Sequence, residues 1–483
     1  MKQHEATPPL MRRMFDLFEK RESPYSYVRM STYCMVSTIL GRKVYMPYGG
    51  RLLYPNLYVV LVGEPATRKS TVINTCRRML QAAGHVAFSP THLSRARLIQ
   101  GLAANAFGKP NAVSARLALD SAADMTKIYR SASKMQELAA KAAQSASKQV
   151  EFRKLYSADS IVEDVDLNEV DSEEGLDDVL DSLTNAPNSL SMYLDELVDG
   201  ASKKDGELWT SVTNLWDCNP YTDTAGTVIP KPCLNMLSGI NPASFVRVFP
   251  VNEMQSGLIT RILLTHGSRT GRVCAPFDID PNASLDCEID IIQELQRIGT
   301  FEGEMEFDND AKATMRRIMV HQPKLHDHRF TYYYDRRLDQ LTKLCMGHAA
   351  MWDRMTITRE DVLFCNTALT ANDWRMSDAL GAYGLNPVVR VADMLLRELR
   401  DYAQSPAGIA DGGGVSRHSL YSRVQASLPN KVEFANALAH LTTSGLATVS
   451  GDLYYANVTT LNELRGDDGK LFDSSMCIEW DTM

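Results

Sequence analysis

Residues 63–71 read Gly63-Glu64-Pro65-Ala66-Thr67-Arg68-Lys69-Ser70-Thr71 and follow the apolar run Leu57-Tyr58-Val59-Val60-Leu61-Val62. The run predicts a buried strand, and a helix is expected from Val72 to Ala83. A loop between such elements cradles a polyphosphate, because successive backbone N–H groups and the helix N-terminus converge on the anion. Lys69 is expected to reach the β- and γ-phosphates and the Ser70 hydroxyl to ligate Mg²⁺. A chance Lys-Ser in an ordinary turn is the competing reading, and the flanking strand and helix weigh against it. Loops of this kind usually carry Gly before the Lys, where this chain has Arg68. Arg68 therefore predicts an altered turn, or a guanidinium placed near the phosphates.

Three later segments fit around that loop. The apolar run Leu190-Ser191-Met192-Tyr193-Leu194 ends in Asp195-Glu196. At that place Asp195 would hold the Mg²⁺ shell and Glu196 would polarise an attacking water. The run Cys233–Ile240 ends at Asn241-Pro242, where Asn241 can contact the γ-phosphate or its water, or simply form a turn. In Gly257-Leu258-Ile259-Thr260-Arg261-Ile262-Leu263-Leu264-Thr265 a single Arg interrupts a strand-like run. Such an Arg is costly unless paired or at an edge, which suits a finger reaching a neighbour's nucleotide. Arg247 competes more weakly for that role.

At 483 residues the chain is too long for one core, and two or three domains are expected. Hydrophobic content of 44% with 23% charged residues excludes a disordered or fibrous chain. The polar opening Met1-Lys2-Gln3-His4-Glu5 and the lack of a long apolar run predict a cytoplasmic protein with no membrane partner. Nine cysteines without a C-x-x-C pair read as reduced thiols, with Cys34, Cys76 and Cys345 as packing residues. The net charge of −8 gives no sign of nucleic-acid binding, but the acidity is local. From Asp159 to Asp181 the chain is dense in Asp and Glu and has no Lys or Arg, so the remainder is near neutral or slightly basic.

The pattern predicts an α/β chain in several parts. Residues 1–50 form a helical N-terminal segment, with helical pattern over 8–45 that stops at Gly41 and a loop at Pro47-Tyr48-Gly49-Gly50. Residues 51–275 form the nucleotide-binding core, with a helix over Leu93–Ala106. An Ala-rich and acidic insertion at about 108–185 reads as a solvated decoration or a docking segment. Residues 276–403 form a helical lid, opened in part by Asp335-Arg336-Arg337-Leu338. Thr358 caps another of its helices, and a further helix lies at 386–403. Pro406–Gly414 reads as a linker. Residues 415–462 give helix, helix and hairpin, a winged-helix pattern. Its second helix carries Lys431 and His440 beside Glu433, which suits DNA reading or protein docking. Residues 463–483 form an acidic tail. Lys203-Lys204 and Lys231 are candidate DNA contacts, and the Lys203-Lys204 pair is equally a solvated loop pair.

As an ordered set, Gly63–Thr71, Asp195-Glu196, Asn241-Pro242, Gly257–Arg261 and Asp335-Arg336-Arg337-Leu338 resemble the AAA+ ATPases of the helicase kind found in phages and mobile elements. The Asn-Pro, the Arg some twenty residues on and the Arg-x-Leu helix are similar to the minichromosome maintenance helicases. The pieces Ser37–Val44 and Pro55–Tyr58 resemble a phage-associated AAA+ family often fused to a primase. The resemblance spans roughly residues 24–380. It implies a P-loop AAA+ core, ATP and Mg²⁺ as cofactors, Asn241 as first sensor, Arg261 as finger and Arg336 as second sensor. It also implies a homohexameric ring that moves DNA through a central channel, with primase or polymerase as further partners in a bacterial host cytoplasm. DNA packaging or protein remodelling without unwinding is an alternative, and so is a scaffold in which Arg68 has spoiled hydrolysis.

Overall fold

The computed structural model describes residues 6–85, 87–90, 93–106, 188–197, 206–249, 257–270, 272, 274, 275, 281–321, 330, 332–376, 379, 387–425, 431–457 and 476–478. The expectations for the insertion at 108–185, for Lys203 and Lys204 and for most of the tail lie outside these residues. The chain divides into two compact units, Met1–Ala379 with Ser474–Met483, and Leu380–Asp473.

The first unit is an α/β structure built on a parallel sheet. In Tyr58–Val62 all five side chains are buried, as are all nine of Pro232–Ile240. Burial along the whole length suits strands covered on both faces. The sheet order is Asn188–Leu194, Pro232–Ile240, Tyr58–Val62, Ile262–His266, and every pairing is parallel. A parallel bridge from Phe88 to Ser191 continues it beyond the first of these strands. Register sets Tyr58 against Met236 and Ile262, and Val62 against Ile240 and His266. All four strands therefore end at one rim. Helices Tyr25–Leu40 and Lys69–Ala82 pack on the sheet and on each other, and Gly206–Leu215 packs on Pro232–Ile240.

The single helix expected over 8–45 is instead two helices, Pro9–Glu19 and Tyr25–Leu40. Pro24 causes the break, since it biases the residue before it away from helical geometry and removes a donor. The second helix is almost wholly buried, so the N-terminal residues form part of the core and not a separate segment. Gly41 ends the second helix as expected, and Val44–Tyr48, where a loop was expected at Pro47-Tyr48, is a strand. It turns at Gly49-Gly50, both with positive φ, to pair with Arg51–Leu53, and Val44-Tyr45 also pairs with Gly303-Glu304. A tertiary partner some 260 positions away decided that strand, which local pattern could not show.

Helices Pro281–Ile298, Asn309–His321, Tyr334–Met351 and Arg359–Trp374 lie in the first unit. Thr358 caps the last of them through a capping box with Asp361. Pro387–Gln404, expected with the lid, packs in the second unit against Lys431–Thr443. Its Leu395, Leu396 and Leu399 join Leu420, Phe434 and Leu441 in that unit's core. The expected linker at 406–414 holds a short helix, Pro406–Asp411, because Ser405 caps it ahead of a proline at its first position. Helices Arg417–Val424 and Lys431–Thr443 and the hairpin Ala447–Ser450/Leu453–Ala456 follow in the expected order.

Candidate functional site

The strand Tyr58–Val62 delivers the chain to the rim of the sheet, and the loop that follows is shaped by close packing. A β-carbon on Gly63 would stand 2.2 Å from the Tyr27 hydroxyl and 2.5 Å from the Gly267 carbonyl oxygen, so this position needs glycine. Ala66 and Arg68 take left-handed conformations, φ 67° and 65°, and Lys69 begins the helix. Lys69 Nζ folds back onto the loop and donates to the Gly63 carbonyl at 2.6 Å, the Glu64 carbonyl at 3.0 Å and Thr67 Oγ1 at 3.3 Å. Burial lowers the Lys69 pKa, partly countered by Glu64 and Glu196.

A cavity of about 370 Å³ opens over this loop, lined by Pro65 through Thr71 on one side and by Asp195, Glu196 and Asn241 on the other. One strand, Pro232–Ile240, separates the loop strand from the carboxylate strand, which gives the two walls their spacing. Gly239 keeps the floor open, since a β-carbon there would meet the Asp195 carbonyl oxygen at 2.6 Å. Asp195 Oδ2 accepts from Asn74 at 2.9 Å. Glu196 Oε1 accepts from Asn241 Nδ2 at 3.1 Å, and Asn241 Oδ1 accepts from the Ser244 N–H at 2.7 Å. The turn reading of Asn241 holds, since it caps helix Pro242–Val248, and the same side chain donates its amide to the Glu196 carboxylate.

A hard divalent cation takes oxygen ligands and keeps several from phosphate and water. The exposed Ser70 hydroxyl and the Asp195 carboxylate on this cavity fit that donor set for Mg²⁺. Among the described residues no group of three His, Cys, Asp or Glu gathers as a metal cage.

Arg261 and Arg336 stand elsewhere. Arg261 ends a short 3-10 turn just before the strand Ile262–His266, not inside a strand as the sequence suggested. Because Ile262 pairs with Tyr58, Arg261 lies at the opposite end of the sheet from the loop, about 15 Å away at the rise of a strand. Asp217 makes the position tolerable: its carboxylate receives Arg261 at 3.2 Å, Arg51 at 2.8 Å and Arg336 at 3.5 Å. Asp339 receives Arg51 at 2.6 Å and Arg336 at 3.3 Å. The guanidinium carbons of Arg261 and Arg336 each lie 5.6 Å from the Trp216 ring centre, and Lys343 Nζ lies 3.7 Å from it. Four cationic side chains therefore share two carboxylates and one indole. The neighbouring Arg337 is a packing residue, fully buried against Asp373, Asn366 and Thr370.

Lys231 is half-buried just ahead of the strand Pro232–Ile240, at the same end of the sheet as Arg261. Lys203 and Lys204 fall outside the described residues. Sequence reasoning missed Arg51, Trp216, Asp217, Asp339 and Lys343 at the arginine cluster and Glu22 at the loop. The one available signal was the spacing of Arg336, Asp339 and Lys343, which share a helix face at steps of three and four. No known protein family matches the chain, and no curated protein matches it.

Proposed function

We propose that this chain is an ATPase of the AAA+ kind that works as a ring, most simply a homohexamer, and drives DNA through a central channel with strand separation. The observation that carries the reading is the cavity in which Lys69 and Ser70 face Asp195 and a Glu196 oriented by Asn241. Triphosphate would draw the Lys69 ammonium from the loop carbonyls to its own oxygens, and Ser70 and Asp195 would hold Mg²⁺. Glu196, on the far wall, would take the proton of an attacking water.

A ring would account for Arg261 and Arg336, which lie at the other end of the sheet from this pocket and so would act on a neighbour's nucleotide and not on their own. A neighbouring copy can offer Arg336, which is part-exposed on that face, whereas Arg261 is mostly buried against Asp217 and would have to leave that carboxylate to reach a neighbour. The helix–helix–hairpin unit supports the winged-helix reading of the C-terminal residues.

The test is MgATP hydrolysis by purified protein, with and without forked DNA, alongside its mass in solution. Hydrolysis, a ring and strand separation are expected. Hydrolysis by a ring that leaves the fork intact would favour packaging or remodelling, and a monomer inert to nucleotide would end the motor reading.

A further inference from the structure

We propose that Glu22 is a positioning residue that competes with the nucleotide for Arg68, so that the guanidinium exchanges a carboxylate for the triphosphate when the loop loads. The inference rests on the phosphate-loop reading above. Arg68 lines the cavity, yet its Nη2 and Nε donate to Glu22 Oε2 at 2.5 and 3.1 Å. Glu22 is held from behind: its Oε1 accepts the Cys274 N–H at 2.9 Å, and that bond, with Arg68, lowers its pKa. Arg272 ties the same turn by donating to the carbonyls of Glu19 and Ser23. The carboxylate is therefore the fixed partner and the long Arg68 side chain, half-exposed, is the one free to swing.

The backbone gives the pair a purpose. Arg68 sits at φ 65° and Glu22 at φ 57°, a region that disfavours a residue with a β-carbon. A glycine before the Lys would adopt that turn without help; here an ion pair between two left-handed residues supports it. A single part-exposed carboxylate is a weak counter-ion in water, whereas phosphate oxygens offer a guanidinium several charge-assisted bonds. Loading the loop should thus transfer Arg68 to the triphosphate and leave Glu22 held by the Cys274 N–H.

The sign of one measurement separates this from a pair that merely braces the loop. The dissociation constant of a non-hydrolysed Mg²⁺–triphosphate analogue is measured by calorimetry for wild type, Glu22→Gln, Arg68→Gly and the double variant. Gln keeps the acceptor for Cys274 and removes the competing charge. Competition predicts that Glu22→Gln binds about two- to fivefold more tightly, the size of an exposed ion pair, and that the gain vanishes in the Arg68→Gly background. Unchanged or weaker binding, or an equal gain without Arg68, overturns it. In the wild-type chain the Arg68 Nε–H resonance should shift on adding the analogue, and a resonance that stays put overturns the proposal independently of any variant. Wild type that binds no triphosphate would bring down the phosphate-loop reading together with this inference; binding without coupling would bring down the inference alone.

Discussion

Asn241 donates its side-chain amide to Glu196 across 3.1 Å while its own carbonyl oxygen is fixed by the Ser244 N–H. The carboxylate on the wall of the cavity opposite Lys69 is thereby aimed by a helix cap. Replacing Glu196 by Gln should keep the amide contact and triphosphate binding but lower the hydrolysis rate by about 10²–10⁴, the contribution of a positioned base. Asn241→Ala should lower the rate less and also cost about 1 kcal/mol of stability for the lost cap. Single-turnover hydrolysis and thermal unfolding of the two variants check this pair of outcomes. A Glu196→Gln variant with full activity would show that another group takes the proton.

Gly63 offers a test of the loop itself. The β-carbon of Gly63→Ala would lie within van der Waals contact of the Tyr27 hydroxyl and of a backbone carbonyl, and backbone moves only with the sheet. Overpacking of this kind costs about 1–3 kcal/mol. Displacement of the loop should also weaken triphosphate binding in step with the loss of stability. Tyr27→Phe removes the hydroxyl that donates to the Val62 carbonyl, and combined with Gly63→Ala it should restore part of both. Calorimetric binding and denaturant unfolding of the three variants read the effect.

The arginine cluster makes a prediction about partnership. If a neighbour's Arg261 completes each pocket, Arg261→Ala and Glu196→Gln proteins should each be inactive alone and should regain activity when mixed. Some interfaces in a mixed ring pair an intact loop with an intact guanidinium. A finger of this kind is worth about 10³–10⁵ in rate. Hydrolysis measured across mixing ratios decides it; activity that never exceeds the sum of the parts would mean that each pocket works alone.

The elements that sequence disclosed and those it hid divide by distance along the chain. The strand, loop and helix around Lys69 are contiguous, and the strand ends at Glu196 and Asn241 announce themselves through apolar runs that stop at a polar residue. Arg261 was legible as an anomaly in an apolar run, but its partner was not. Asp217 meets Arg51 from 166 positions away and Arg336 from 119, and no periodicity encodes such a meeting. The Arg68–Glu22 pair spans 46 positions and hides for the same reason. Val44–Tyr48 went unrecognised as a strand because one of its partners, Gly303-Glu304, is equally remote.

Lys343 carries the pH dependence of the cluster. It is buried beneath Trp216, donating to Asn56 Oδ1 at 2.6 Å and to the Asn56 carbonyl at 3.1 Å. Burial pulls its pKa from the ordinary 10.5 down to about 8, against the pull of Cys218 and Asp217 in the other direction. A lysine depressed in the folded state binds fewer protons there than in the unfolded chain between those two values. Stability should therefore rise as pH goes from about 8 to 10.5, by about 3 kcal/mol from this group, and the penalty should be present in full below pH 8. Lys343→Met removes the titrating group and nearly conserves volume. The difference in unfolding free energy between wild type and variant, measured by denaturant from pH 7 to 10.5, should shift in favour of wild type across that window. A constant difference would place the Lys343 pKa outside it, and a shift of opposite sign would mean that Trp216 and Asp217 hold the ammonium more firmly than burial opposes it.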